Sequence, residues 1–163
     1  MDIEKFGLFA ESLRCKVKDY ECSRYARLFA KEHFGIRYAS AHAWDRKYVD
    51  RIVCEVDSNK KLIDYIKSGL VSPGMMIGVY NPDSKWNDEL DSRGNKIVSS
   101  HVLLYLGENG GSPIFTDQFA SDFLFRNVND FDNDGLVAKM VTAPKSPVVV
   151  ALQLIPVLRS AFR

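Results

Sequence analysis

The sequence predicts an α+β fold in which N-terminal helices pack on an antiparallel β-sheet. Three observations carry that expectation. In the N-terminal part, apolar residues recur at steps of three and four, the period of a helix with one buried face. From Met75 onward the apolar runs become short, β-branched and aromatic, as strands are. Helices come first and strands follow, which suits helices laid on a sheet rather than alternating βαβ units. At 163 residues the chain has one domain's worth of mass, and a single domain over 1–163 is expected.

Ile3 to Val17 reads as a first helix, with Phe6, Phe9, Ala10 and Leu13 on one face. A second helix begins near Glu21 and runs to about Phe34. Asp45 to Ser68 reads as mostly helical and closes at Gly69, a C-terminal cap. Met75 to Tyr80, His101 to Leu106 and Pro113 to Phe119 read as strands, and further strands are expected near Leu136 to Val141 and Val148 to Ile155. The last of these lies in the most apolar stretch of the chain. It is short, β-branched and flanked by prolines, so it reads as a buried strand, far from the roughly 18 apolar residues of a membrane span. Asn81 to Ser99 is a long polar connection with Trp86, Leu90 and Ile97 as its sizeable apolar groups, and such loops form functional rims or mobile segments. Asn127 to Gly135 is acidic and turn-rich. It faintly resembles a calcium loop, but the required spacing and closing glutamate are not met, so it reads as a solvated turn.

Composition excludes several classes. Hydrophobic residues make up 46% and charged residues 26%, which fits a globular chain and not a disordered one. Lysine and arginine number 22 against 21 acidic residues, a net charge of +1. That balance offers no electrostatic attraction for nucleic acid or an anionic membrane, and neither is expected as a partner. The start, Met1 to Lys5, has no basic region followed by an apolar run. No classical secretory signal is therefore expected. The protein would be made as a soluble cytoplasmic product, and work outside the cell would need a non-classical route. Three cysteines are too few, and odd in number, for a disulfide scaffold, which leaves at least one free thiol. No paired Cys or His spacing of the zinc kind occurs, so no metal or cofactor is expected.

The free thiol to follow is Cys22. It opens the second helix, on the face that continues as Tyr25, Ala26, Phe29, Ala30 and His33. A helix N-terminus offers unpaired N–H groups and a partial positive charge, which favour a thiolate and can bind a developing oxyanion. A free cysteine is also commonly a small buried hydrophobe, and helix position alone does not separate the two readings. Cys15, near the end of the first helix, and Cys54, inside Ile52-Val53-Cys54, lack this setting and read as structural.

His101 opens an apolar strand and can face a helix packed on the sheet. If that helix is the one led by Cys22, the pair has the makings of a nucleophile and its base, whereas an exposed strand-end histidine is the plain alternative. His33 lies about three turns down the helix from Cys22, and His42 reads as loop or the start of a helix. A third group should orient the imidazole from the strand returning after Glu108-Asn109-Gly110-Gly111-Ser112, a hairpin signature. A two-residue Asn109-Gly110 loop would set Gln118 opposite His101. A three-residue loop would set Phe119 opposite and Asp117 one diagonal step back on the same face. Asp117 is favoured because it is charged, and Gln118 is the alternative third member.

Three pieces, in order, resemble the NlpC-type cell-wall peptidases, a branch of the papain-like cysteine hydrolases. Glu21-Cys22-Ser23-Arg24-Tyr25-Ala26 resembles the opening of that family's nucleophile helix. Leu70-Val71-Ser72-Pro73-Gly74-Met75-Met76-Ile77 resembles its Pro-Gly approach to a strand. Ser99-Ser100-His101-Val102-Leu103-Leu104-Tyr105-Leu106-Gly107 resembles its histidine strand and is the most specific of the three. Together they span roughly residues 20 to 120. Departures are visible: Met75 stands where the family has aspartate, Arg24 where it has glycine, and no histidine follows the hairpin to serve as third member. Small amidase effectors that bacteria inject into rivals look similar in size and can use aspartate there. Because the cysteine precedes the histidine, the circularly permuted acyltransferase branch is disfavoured.

The resemblance implies a papain-like, NlpC-type fold and hydrolysis of amide bonds in peptides, above all peptidoglycan stem peptides, by Cys22, His101 and Asp117. Tyr38, Trp44 and Trp86 are candidates to line the substrate cleft, with core or loop packing as their alternative, and Asp45 is a candidate to contact a substrate amine. A protein-directed cysteine protease and a non-catalytic binding module on the same fold are the competing readings. An inhibitor or immunity protein is a further candidate partner.

Overall fold

The computed structural model describes residues 2–17, 21–38, 52–81, 83, 101–118, 126–129, 131 and 137–142. Three helices and six strands are present among them: α1 Ile3–Arg14, α2 Cys22–Phe34, β1 Ile52–Glu55, α3 Asn59–Lys67, β2 Met76–Tyr80, β3 His101–Asn109, β4 Ser112–Thr116, β5 Arg126–Asn127 and β6 Val137–Thr142. The strands form one sheet in the order β1-β6-β2-β3-β4-β5, and each neighbouring pair is antiparallel. The class is α+β, as the element order predicts.

The helices begin and end where their caps allow. Asp2 accepts the N–H of Lys5 at 3.0 Å to start α1, and Ser58 accepts that of Lys61 at 3.3 Å to start α3. Gly35, in the left-handed region, closes α2.

Apolar residues fill both sides of the sheet. On one side α1 and α2 contribute Ala10, Leu13, Tyr25 and Phe29, packed on Met76, Val102, Leu104 and Leu106. On the other, Leu62 and Ile66 of α3 pack with Ile77, Val79, Leu103, Tyr105 and Phe115. A strand covered on both faces should be apolar without alternation, and β3 is buried continuously from His101 to Gly107. This two-sided burial explains the unbroken run that marked the histidine strand in the sequence.

The stretch from Asp45 to Ser68 departs from the expected mostly helical course. Its described part is a short strand, β1, then the capped helix α3. Ile52, Val53 and Cys54 have helical spacing to their neighbours, but β-branched residues also suit a strand, and pairing with β6 decides the matter. Ser58 then marks the true helix start. Arg126–Asn127, at the head of the segment read as a turn, pairs with β4 as β5. The strand expected over Val148 to Ile155 lies outside the described residues.

Candidate active site

Cys22 is the first residue of α2 and is half-buried. The residue before it, Glu21, makes no side-chain cap to the helix. Its carboxylate is drawn to Arg24 at 2.9 Å instead. Unlike α1 and α3, α2 thus starts without a side-chain cap from its N-cap residue, and the partial positive charge of its first N–H groups lies at Cys22. Tyr25, Ala26, Phe29 and Ala30 are fully buried and fix the helix against the sheet.

His101 is the first residue of β3, where it pairs with Val79 of β2. Its Nε2 lies 2.7 Å from Oδ2 of Asp117, and the Asp117 side chain has no exposure at all. The Cys22 thiol acts on the same ring from the start of α2. Burial by itself would lower the pKa of the imidazole, but the hydrogen bonds to Asp117 and Cys22 and their negative charge outweigh it and raise the pKa to about 9. In the pleat, His101 shares the phase of Leu103 and Tyr105, which pack on the α3 side. It meets α2 because it stands at the end of the strand, beside the first residue of that helix.

Asp117 reaches the ring through an irregular hairpin. The turn is Gly110-Gly111, closed by the pair Asn109 and Ser112. Both glycines have positive φ, 58° and 80°, which a two-residue hairpin turn of the common type requires. A regular ladder from that turn would pair Asp117 with Leu104 and point it away from the phase of His101. A shift between Tyr105 and Gly107 intervenes, after which Tyr105 pairs with Phe115 and Leu104 with Thr116. One step further, Asp117 falls diagonal to His101. Neither the Asn109-Gly110 loop nor the three-residue loop is present. The expected register is reached by a Gly-Gly turn and a bulge.

Two supports of this site carry no sequence signal. The Tyr25 hydroxyl and Thr116 Oγ1 are 2.9 Å apart and buried, joining the first turns of α2 to the end of β4. Burial raises the Tyr25 pKa, against the effect of the Thr116 hydrogen bond and the nearby Arg14 charge. Arg14, in the last turn of α1, donates from Nη2 to the Asp117 carbonyl at 2.8 Å. Basic residues commonly end helices, so in the sequence Arg14 looks like an ordinary helix terminus.

The other candidates lie elsewhere. Tyr38 donates its hydroxyl to the Gly74 carbonyl at 2.6 Å and packs partly against the α1–α2 cluster. Gln118, half-buried, is the next residue after the one that holds the ring. Trp44, Asp45, Trp86 and His42 fall outside the described residues. His33 sits among Phe6, Phe9 and Phe29, far down α2 from Cys22. Cys15 is exposed, and Cys54 packs against the core, where burial raises its pKa. Among the described residues no cluster of His, Cys, Asp and Glu could hold a metal ion, and no helix is long and apolar enough to cross a membrane. No family model, curated protein or solved structure matches the chain.

Proposed function

We propose that the protein is a cysteine hydrolase that cleaves amide bonds in peptides, with peptidoglycan stem peptides as its substrate class, on a papain-like, NlpC-type scaffold. The observation that carries this reading is the 2.7 Å bond from His101 to the buried Asp117, with Cys22 at the start of α2 acting on the same ring. With Nε2 of His101 committed to Asp117, Nδ1 is the ring atom that takes the thiol proton. Cys22 Sγ then bonds to the substrate carbonyl carbon, and the oxyanion forms beside the first N–H groups of α2. As the C–N bond breaks, His101 gives its proton to the departing amine. Water adds to the thioester with His101 as base, the C–S bond breaks, and the thiol is restored. Asp117 holds the ring in one orientation and offsets its positive charge. The substrate class rests on the three motif resemblances, and the chemistry rests on the geometry.

Purified peptidoglycan incubated with the protein should yield new free amines by mass spectrometry, and Cys22→Ala should yield none. Equal release by both proteins would sink the reading. An intact wall together with a fast-reacting Cys22 would move the substrate class to proteins.

A further inference from the structure

A further role falls to α1, which lies outside the region of motif resemblance. Arg14 Nη2 donates to the Asp117 carbonyl at 2.8 Å, across 103 residues of sequence. Its guanidinium carbon stands 5.9 Å from the centre of the Tyr25 ring, within cation–π range. Tyr25 in turn holds Thr116, the neighbour of Asp117, at 2.9 Å. Among the described residues Arg14 Nε is buried with no hydrogen-bond partner, so the group is held there at some desolvation cost. Thr116 is the last residue of β4, so Asp117 stands just past the end of the strand. There its backbone needs an anchor if its carboxylate is to keep one position.

We propose that Arg14 is a positioning residue. By clamping the Asp117 carbonyl, and with Tyr25 and Thr116 as the second arm of the clamp, it fixes the carboxylate that orients His101. The proposal rests on the cysteine-hydrolase reading. A charged donor to a carbonyl is stronger than a neutral one and directional, which suits this task. The net effect on His101 distinguishes a clamp from a mere neighbouring charge. Removing a nearby cation would by itself favour the imidazolium, whereas releasing the clamp loosens the Asp117 bond that sustains it.

The test is the pH profile of iodoacetamide alkylation at Cys22, read peptide by peptide by mass spectrometry below the melting temperature of each variant. Arg14→Met should lower the Cys22 rate at pH 6 about tenfold, the effect of one pKa unit, and leave the rate at pH 9.5 near that of the native protein. Arg14→Lys should recover part of the loss. In an Asp117→Asn background, Arg14→Met should add less than twofold, because it acts through Asp117. An unchanged or faster rate at pH 6 in Arg14→Met would overturn the clamp while leaving the hydrolase reading intact. A native Cys22 no faster than Cys15 at pH 6 would overturn both. If Arg14→Met does not fold, Arg14→Gln, whose shorter side chain ends short of the Asp117 carbonyl, should show the same low-pH loss, and a native profile there would equally overturn the clamp.

Discussion

His101 and Asp117, 16 residues apart, are joined by a 2.7 Å hydrogen bond between Nε2 and Oδ2 in a setting that excludes water from the carboxylate. The bond fixes both the orientation of the ring and the charge it can carry. Asp117→Asn keeps the shape and removes the charge. On the proposed hydrolase reading it should reduce kcat on the order of 10²–10⁴, the scale seen when a triad loses its carboxylate or its general acid–base. A peptidoglycan-release assay with matched protein concentrations checks this, and circular dichroism should show the variant folded.

The same bond makes stability depend on pH. His101 titrates near 6.5 in an unfolded chain and near 9 in the folded one. The folded state therefore holds the proton more tightly. This contribution is fully present below about pH 6.5 and is lost as pH rises through about 9. Its size is on the order of 1–3 kcal/mol. Melting temperature followed from pH 6 to 9.5 should fall more steeply for the native protein than for Asp117→Asn. Parallel curves would contradict the assignment.

Three cysteines give an internal comparison of thiol reactivity. Cys22 should alkylate fastest below pH 7, because it combines a helix N-terminus with an imidazole that it acts on. Cys54 should be slowest, since burial raises its pKa and shields its sulfur. Labelling of the native protein and of Cys22→Ala, quantified by peptide mass, gives the order directly.

Gly74 should not tolerate alanine. Its φ is +89°, and an added Cβ would press on the Ile36 side chain and approach Phe34 at 3.2 Å. Its N–H also donates to the Tyr105 carbonyl at 2.8 Å, just ahead of the β2–β3 ladder. Gly74→Ala should cost roughly 2–3 kcal/mol of stability, seen as a lower denaturation midpoint. The Pro-Gly element of the sequence thus has a steric reason in the approach to β2.

Phe29 is the centre of the α1–α2 contact. It is fully buried and within 6.0 Å, ring to ring, of Phe9, Phe6, His33 and Tyr25. Phe29→Ala should destabilise the protein by about 3–5 kcal/mol, as urea unfolding would show. Phe29→Leu should cost less, because it leaves a smaller cavity.

Much of this site was legible in the residue order. The amphipathic periods of α1 and α2, the start of α2 at Cys22 and the apolar run opening at His101 are local properties, set by side-chain spacing and helix-end chemistry. They named two of the three candidate site residues, Cys22 and His101, and narrowed the third to Asp117 or Gln118, with Asp117 favoured for its charge. Only the tertiary structure could choose, because the choice depends on strand register. A single bulge near Leu106 changes which residue faces His101; Gly107, at a φ of 116°, is its one local mark, and pairing with β4 decides the register that results. The strand at Cys54 was likewise decided by pairing with β6, since an apolar β-branched run fits either period. Arg14 and the Tyr25–Thr116 link were beyond reach altogether. Their partners are 103 and 91 residues away, and contacts at that separation exist only once the sheet has brought the end of β4 beneath the two helices.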